Sequence, residues 1–341
     1  MDRILLAHGS GGTLMHDLIE QLFFEAYGSD VLRRGDDAAV LAIPKDAASL
    51  AFTTDTFVVT PHFFPGGDIG KLAICGTVND LASSGAKPLW LSVAFVLEEG
   101  FAIDELRRIC VSMAETAREA GVSIVTGDTK VVNRGQGDGI YINTSGVGML
   151  PLGLELSGAN CQPGDRILLS GSLGDHGIAI ISSREGLSFS TTVQSDVAPL
   201  NHLVAQVLTA APNTRCFRDP TRGGLASTLN EFARQSGVAM MIDEEAVPVK
   251  EQVRGACDML GYDVFQVPNE GKIVCVVPAE EAKTALAAMR NARFGSDATL
   301  IGEVVATEGG DSGSPRVYVR TAYGSKRILD ELVGEQLPRV C

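Results

Sequence analysis

Short apolar strands alternate with amphipathic helices through the first 150 residues, and this alternation restricts the fold to an α/β class. Residues 50–54, 91–97, 122–126 and 141–147 have the pattern of strands. The helix between the second and third of these strands has one apolar stripe, made of Ile103, Leu106, Cys110, Met113 and Ala117. We therefore predict a mixed sheet with helices, in a first domain that ends near residue 150.

A second set of strands and helices follows residues 151–163, which contain the turn residues of a linker. Strands are predicted at 166–170, 238–242, 273–277, 299–305 and 317–320. Helices are predicted over 13–26, 70–84, through 178–181, over 198–209, from Gly223, after Pro278 and over 325–333. The predicted division is a glycine-rich N-terminal segment with a helix (1–34), two domains (35–150 and 151–333) and a mobile tail (334–341).

Composition excludes several classes of function. The formal charge of −14 argues against a surface that follows nucleic-acid phosphates, so no nucleic-acid partner is expected. No signal peptide and no apolar run of membrane length is evident, so no membrane is expected either. The seven scattered cysteines include no CxxC pair, which fits a reducing cytoplasm rather than a zinc or disulfide site.

Acidic residues recur at or beside the predicted ends of elements in the first domain. They are the pair Asp36 and Asp37, Asp55 after a strand, Asp80 near a helix end, and Asp128 after a strand. Carboxylates gathered at one edge of a sheet would repel one another unless a hard cation lies among them. Mg²⁺ held there would bind nucleotide phosphates. The alternative is that each aspartate only caps a helix or starts a turn.

Three further positions are candidates for chemistry. Lys130 follows Asp128 by two residues and could neutralise a transferring phosphoryl group, although it could equally be a solvated surface lysine. Residues 219–224, Asp-Pro-Thr-Arg-Gly-Gly, combine glycines, a hydroxyl and an arginine at a helix start, which suits a phosphate. Glu270 precedes a strand and could be a general base or a turn residue.

The sequence ends in Pro-Arg-Val-Cys at 338–341. Gly334 should end the last helix and Pro338 should keep the following residues extended, so we expect Cys341 on a mobile arm of roughly 25 Å. A thiol on such an arm could be loaded with a small group in one place and unloaded in another. The alternative is that a cysteine ends the sequence by chance.

Taken together, five motifs resemble those of the ATP-binding superfamily of aminoimidazole ribonucleotide synthetase, which also contains selenophosphate synthetase and thiamine-phosphate kinase. They lie at residues 35–40, 53–55, 78–82, 127–130 and 219–224. The final Pro-Arg-Val-Cys narrows the resemblance to the HypE-type carbamoyl dehydratases of hydrogenase maturation. The resemblance extends over nearly the whole chain.

The resemblance implies a first domain whose sheet pairs with a second copy in a homodimer, and a C-terminal α/β sandwich that covers a nucleotide. It implies ATP and Mg²⁺ as cofactors, with Mg²⁺ held by Asp37, Asp55, Asp80 and Asp128. These four residues would also bind the nucleotide, together with Asn79, Asp219, Thr221, Arg222 and Gly223. Lys130 would stabilise charge, Glu270 would act as the base, and Cys341 would carry the reacting group.

The implied reaction is the ATP-dependent loss of water from an S-carboxamide on Cys341, which gives a thiocyanate. A HypF-type carbamoyltransferase would load Cys341, and a HypC–HypD-type complex would take the cyanide to the iron of nickel–iron hydrogenase. Two alternatives stay open. One is an ATP-dependent phosphotransferase acting on a free small molecule, as in thiamine-phosphate kinase. The other is a carrier protein without catalysis.

Overall fold

The computed structural model describes residues 3–9, 17–28, 44, 49–184, 193–308, 313–331, 337 and 340–341. The strands of the first domain are β1 (Ser49–Phe57), β2 (Phe63–Phe64), β3 (Gly67–Asp68), β4 (Lys87–Glu98), β5 (Ser123–Val132) and β6 (Ile140–Leu150). Four of them form a sheet in the order β1-β6-β4-β5, in which only β4 and β5 are parallel. The predicted mixed sheet is therefore confirmed, although each of its strands is longer than its pattern indicated.

One face of this sheet is covered and the other is open. Helices α1 (Ile69–Ser83) and α2 (Ile103–Ala120) bury the first face in an apolar core. Because side chains alternate along β1, Phe57 points into that core and is 2% exposed. Phe52 points to the other face and is 71% exposed, and Leu50 is 58% exposed. The sheet thus presents apolar side chains on a face that the described part of the chain leaves open.

The second domain is built on a seven-stranded sheet in the order β13-β12-β9-β11-β7-β10-β8. Its strands are β7 (Arg166–Leu169), β8 (Cys216–Arg218), β9 (Ala239–Asp243), β10 (Val274–Val277), β11 (Thr299–Val305), β12 (Arg316–Arg320) and β13 (Lys326–Ile328). Its helices are α3 (Asp175–Ser183), α4 (Asn201–Ala210), α5 (Gly224–Ser236), α6 (Glu251–Leu260) and α7 (Ala282–Asn291).

Helices pack on both faces of this second sheet. Phe232 of α5 lies in one apolar core with Val274 of β10. Leu203 of α4 lies in another core with Phe217 of β8, and Ala82 of α1 also belongs to it. The predicted α/β sandwich is confirmed, and α1 lies between the two domains.

The structure corrects three predictions about secondary structure, two on where a strand ends and one on the type of an element. Asp55 does not follow a strand but lies inside β1, and Asp128 lies inside β5. The helix predicted over 325–333 is wrong for its described part, because Lys326–Ile328 forms β13. Gly324 has a left-handed φ of 78° and closes a turn that brings β13 antiparallel to β12, so that strand pairing overrides the local helical pattern.

Two helical regions complete the fold. Residues 17–27, the described part of the predicted N-terminal helix and one residue beyond it, are helical, with a wide π-type turn over Ile19–Phe24. Helix α6 was missed, although Val253, Ala256 and Cys257 are buried at helical spacing. Within the described ranges, no helix combines the length and the apolar character needed to span a bilayer.

Candidate active site

Asp55 and Asp80 meet where β1 crosses α1. Thr53, two residues before Asp55 and on the same face of β1, donates its hydroxyl to Asp80 Oδ2 at 3.0 Å. Asp55 Oδ2 lies 3.7 Å from the position that a Cβ on Gly76 would occupy, one helical turn before Asp80. The covered face of the first sheet therefore brings these two predicted ligands together.

The second domain contributes the turn at residues 219–224. Gly224 N donates to Thr221 O at 2.9 Å, and this bond closes the turn directly before α5. Gly223 and Gly224 both have left-handed φ values, 76° and 61°. A Cβ on Gly224 would lie 2.6 Å from the carbonyl oxygen of Phe265, so only glycine fits there. The predicted glycine turn at a helix N-terminus is confirmed as local geometry.

Glu270 lies beside this turn and is 2% exposed. The backbone N–H of the preceding residue, Asn269, donates to Pro220 O at 3.0 Å, and its side chain donates to the same oxygen at 3.1 Å. These bonds hold the Glu270 segment against the 219–224 turn. In the described part of the chain, Glu270 Oε1 has no hydrogen-bond partner. A buried carboxyl oxygen without a partner is costly in a resting protein and is common where a group must react.

The carboxyl groups of this pocket raise one another's pKa. Burial and the neighbouring Asp80 raise the pKa of Asp219 to about 7. Burial and repulsion by Asp219, Asp196, Asp55 and Asp80 raise the pKa of Glu270 well above its ordinary value. Burial also raises the pKa of Asp55 and Asp80, against the opposing effect of the Arg222 guanidinium. These carboxyl groups therefore bind protons more readily than isolated ones, and a cation that enters the pocket would displace those protons.

The chemistry of these side chains is compatible with Mg²⁺ held together with nucleotide phosphates. No group of three or more His, Cys, Asp or Glu side chains within the described ranges is arranged to hold a metal ion. Mg²⁺ is commonly bound by one or two carboxylates together with substrate phosphates and water. Asp55 and Asp80 provide carboxylates of that kind, and the turn at 219–224 provides a phosphate-binding geometry beside them.

Asn79 is hydrogen-bonded to two segments of the second domain. Its side-chain amide donates to Ala198 O at 3.1 Å and to Glu270 O at 3.4 Å. Its oxygen accepts the N–H of Leu200 at 2.8 Å. The residue is buried and ties α1 to two segments of the second domain. These contacts hold the Glu270 segment against α1, and the predicted role of Asn79 in nucleotide binding stays a prediction.

Asp128 and Lys130 lie on the other face of the first sheet. Asp55, Thr144, Val93 and Gly127 form one row across the four strands, so Asp128, the next residue along β5, points away from Asp55. Lys130 Nζ lies 2.6 Å from Asp128 Oδ2, and both side chains are more than half exposed. One chain therefore does not bring its own Asp128 and Lys130 to the Asp55–Asp80 pocket.

The remaining predicted residues are in two places. Asp36 and Asp37 lie outside the described residues. In the tail, Leu337 and Val340 are buried at 4% and 2% exposure, and Cys341 is partly buried against the same apolar core. The described tail residues are thus packed on the protein in this structure rather than extended into solvent.

Sequence reasoning missed three residues that organise the pocket. Asp196 Oδ1 accepts the N–H of Glu270 at 3.1 Å, and Asp196 Oδ2 lies 3.2 Å from Lys272 Nζ. Asn269 Oδ1 accepts the N–H of Gly174 at 2.7 Å. His176 is fully buried and hydrogen-bonded at both ring nitrogens. The proximity of Asn269 to Glu270 in sequence was a usable signal, whereas nothing local marked Asp196 or His176.

Comparison with known proteins gives a consistent result. The family model described as AIR synthase related protein, N-terminal domain, matches residues 35–150, and the model for the C-terminal domain matches residues 162–313. The carbamoyl dehydratase HypE of Cupriavidus necator is 52% identical over 99% of this chain and 95% of its own length.

Solved structures agree with this result. Hydrogenase maturation protein HypE in complex with ATP superposes with a TM-score of 0.94 at 48% identity, covering 99% of both chains. A chain of a HypE–HypF complex gives a TM-score of 0.79 at 49% identity, covering 92% of this chain and 99% of that one. Thiamine-monophosphate kinase of Stenotrophomonas maltophilia K279a, at 22% identity and a TM-score of 0.66, shares the fold alone; this match covers 89% of this chain and 95% of that one.

Proposed function

Because the chain belongs to the HypE family of carbamoyl dehydratases, we propose that it uses ATP to remove water from an S-carboxamide on Cys341, leaving a thiocyanate. The observation that carries this proposal is the buried Glu270, whose Oε1 has no hydrogen-bond partner among the described residues and whose carboxyl group lies close to Asp55, Asp80 and Asp219. The pocket combines a nucleotide-binding geometry with a strong base.

ATP and Mg²⁺ are the proposed cofactors. Asp55 and Asp80 would hold Mg²⁺ together with the phosphates, and Asp37 is proposed as a third ligand from the resemblance alone. From the second domain, Thr221, Arg222 and Gly223 would contact the phosphates. Asp219 adds a carboxyl group to those of Asp55 and Asp80. When bound, the cation supplies charge neutralisation at the transferring phosphoryl group.

The chemistry divides between ATP and the protein. An amide oxygen is a poor leaving group, and transfer of the terminal phosphoryl group of ATP to it creates phosphate, which leaves readily. Loss of both nitrogen protons then forms the C≡N bond, so the carboxamide and ATP give thiocyanate, ADP and phosphate. Glu270 accepts a nitrogen proton. To do so it must first be ionised, and a cation in the pocket would favour the ionised form by offsetting the burial and repulsion that raise its pKa.

Exclusion of water protects the activated amide from hydrolysis. Glu270 and Asp219 are at most 9% exposed, and the described tail residues Leu337 and Val340 are buried in the apolar core. Cys341 must also be presented to other proteins. We infer two tail positions, one packed for dehydration and one extended for loading and delivery.

The proposed partners follow from these steps. A HypF-type carbamoyltransferase loads Cys341, and a HypC–HypD-type complex receives the cyanide for the iron of nickel–iron hydrogenase, in a reducing cytoplasm. A second copy of the chain covers the open sheet face that exposes Leu50 and Phe52. Asp128 and Lys130 lie on that face, so their proposed roles in phosphoryl transfer require this homodimer.

Intact-protein mass spectrometry tests the function. The wild type and the Asp80→Asn variant are each incubated with a HypF-type carbamoyltransferase, carbamoyl phosphate and ATP. We expect Asp80→Asn to accumulate a carboxamide on Cys341, and wild type to carry an adduct that is lighter by one water. Cys341→Ser should carry no adduct, whereas Cys257→Ser, at a buried cysteine outside the pocket, should behave as wild type.

Two results would contradict the proposal. Unchanged ATP turnover on a free small molecule in Cys341→Ser would indicate a phosphotransferase. A protein whose Asp80→Asn variant loses stability but binds ATP as before would instead fit a carrier with a structural acidic cluster.

A further inference from the structure

His176 links the tail to the second domain through two hydrogen bonds. Its Nε2 lies 2.6 Å from the carbonyl oxygen of Val340, and its Nδ1 lies 2.8 Å from Ser195 Oγ. A carbonyl oxygen can only accept, so Nε2 carries the hydrogen and donates it. Ser195 Oγ accepts the N–H of Val197 at 3.1 Å and donates its own hydrogen to Nδ1. The contacts therefore fix His176 as one neutral tautomer.

The surroundings of His176 favour this neutral form and a close fit of the tail. The ring is fully buried, and burial lowers its pKa below the ordinary value of histidine. Gly177, the next residue of α3, packs against the tail. A Cβ on Gly177 would lie 3.1 Å from Leu337 Cδ1 and 2.5 Å from Val267 Cγ1. Two consecutive residues of α3 thus contact two buried residues of the tail.

A short chain of bonds connects this contact to the base. Val340 O is bonded to His176, His176 to Ser195, and Ser195 is followed in sequence by Asp196. Asp196 Oδ1 in turn accepts the N–H of Glu270 at 3.1 Å. Gly177 N also donates to Pro268 O at 3.2 Å, two residues before Glu270. The group that holds the tail and the group that positions Glu270 therefore belong to one network.

We propose that His176 is a positioning residue, which holds the residue next to Cys341 against the Glu270 segment so that the tail is packed for dehydration. The inference rests on the proposed function for its catalytic part, but the tail contact stands independently of it. Breaking the Nε2–Val340 bond favours the extended tail. His176 then acts on the balance between the two tail positions, not on the reacting atoms.

The test compares the accessibility of Cys341 in four full-length proteins: wild type, His176→Phe, His176→Gln and His202→Phe. Phenylalanine keeps the ring but removes the donor, while the glutamine amide can still donate to Val340 O. His202 is the matched control, because its Nε2 also bonds a backbone carbonyl, Glu119 O at 3.1 Å, on the exposed side of α4. Alkylation of Cys341 by iodoacetamide is followed by peptide mass spectrometry, with the buried cysteines as internal references.

We expect His176→Phe to alkylate about tenfold faster than wild type, as expected for loss of one buried hydrogen bond. His176→Gln should stay within about threefold of wild type. ATP-dependent water loss in a single turnover should slow in His176→Phe, while its affinity for ATP is unchanged. The glutamine variant should recover the rate.

The proposal would be overturned if Cys341 were alkylated no faster in His176→Phe than in His202→Phe. It would also be overturned if a folded His176→Gln were alkylated as fast as His176→Phe. If His176→Phe does not fold, Ser195→Ala decides, since loss of its hydroxyl frees the other tautomer and should also speed alkylation. Unchanged alkylation of Cys341 in Ser195→Ala would then refute the proposed role of His176 in holding the tail. A third outcome separates the two proposals. If His176→Phe alkylates faster but carbamoylated wild type never loses water, the role of His176 in holding the tail stands and only the proposed function is refuted.

Discussion

The two faces of the first sheet place aspartates in opposite electrostatic settings. Asp55 faces α1, where burial raises its pKa and Asp80, Asp219 and Glu270 add negative charge nearby. Asp128 faces solvent beside Lys130, whose ammonium donates to it and holds its pKa below the ordinary value. The carboxyl groups on the covered face repel one another, whereas the Asp128 carboxylate on the open face is paired with Lys130.

This difference distinguishes the acidic pocket, which a ligand would stabilise, from Asp128, which already has an ion-pair partner. The pocket on the covered face gains stability when a cation enters, since the cation replaces the repulsion with attraction. The Asp128–Lys130 pair gains nothing similar within its own chain, because exposed ion pairs contribute little. Its open face becomes functional only when another surface covers it.

The largest effect should come from removing the base in the pocket. We expect Glu270→Gln to slow ATP-dependent water loss from carbamoylated Cys341 by about 10²–10⁴-fold, the usual contribution of a general base. Affinity for ATP should change little, since the amide keeps the shape of the side chain. Single-turnover mass spectrometry measures the rate, and equilibrium titration measures the affinity.

Glu280→Gln is the matched control, because Glu280 is an exposed glutamate in the turn before α7. It should leave both quantities at the wild-type level. A folded Glu270→Gln that dehydrates the carboxamide at the wild-type rate would mean that the pocket binds nucleotide but takes its base from elsewhere.

Much of this arrangement could be predicted from the sequence, and one feature of β5 shows why the rest could not. Alternation counted from the buried Ile124 would put residue 128 on the covered face with Asp55. The pairing of β5 with β4 shifts by one residue after Leu91, and Val125 is also buried. Such a bulge moves every later side chain to the opposite face, and the sequence pattern does not show it.

The tail contact was out of reach for a different reason. Local patterns identify elements because neighbouring residues share one helix or strand. His176 and Val340 are 164 positions apart, and their bond exists only once the second domain has folded and the tail has packed against it. The motifs around Asp55, Asp80, Asp219 and Glu270 were recognisable because each is short and self-contained, whereas their convergence needed the structure.

A mixing experiment tests whether the two faces cooperate across a homodimer. Asp80→Asn and Lys130→Ala should each lose most ATP-dependent activity, by about 10²-fold or more. Mixed in equal amounts and allowed to exchange, they form mixed dimers in which one of the two sites lacks both substitutions. We expect about a quarter of wild-type activity to return, because half of the dimers are mixed.

Phe52→Asp provides the control, since it places a charge on the exposed apolar face without touching either group. It should yield monomers by light scattering, and no recovery should occur when both variants also carry it. Recovery in monomers, or none in stable mixed dimers, would show that Asp128 and Lys130 serve another purpose.

The smallest effect concerns the stability of the protein without ligand. The folded pKa of Asp219 is about 7, above its ordinary value, so the folded state binds a proton more tightly than the unfolded state. The associated stability is present below about pH 4 and is lost as the pH rises through 7. We expect Asp219→Asn to raise the free energy of unfolding at pH 8 by about 1–3 kcal/mol, with little change at pH 4.

Thermal and denaturant unfolding at the two pH values measure this effect, with the exposed Asp258→Asn as a control that should show no pH-dependent difference. The same proton should leave when the pocket is filled. Calorimetry of Mg²⁺–ATP binding near pH 7, in buffers of different ionisation enthalpy, should therefore detect proton release in wild type and less of it in Asp219→Asn. Equal proton release in both proteins would mean that Mg²⁺–ATP does not displace the proton of Asp219. The difference in electrostatics between the two faces would then not explain ligand binding.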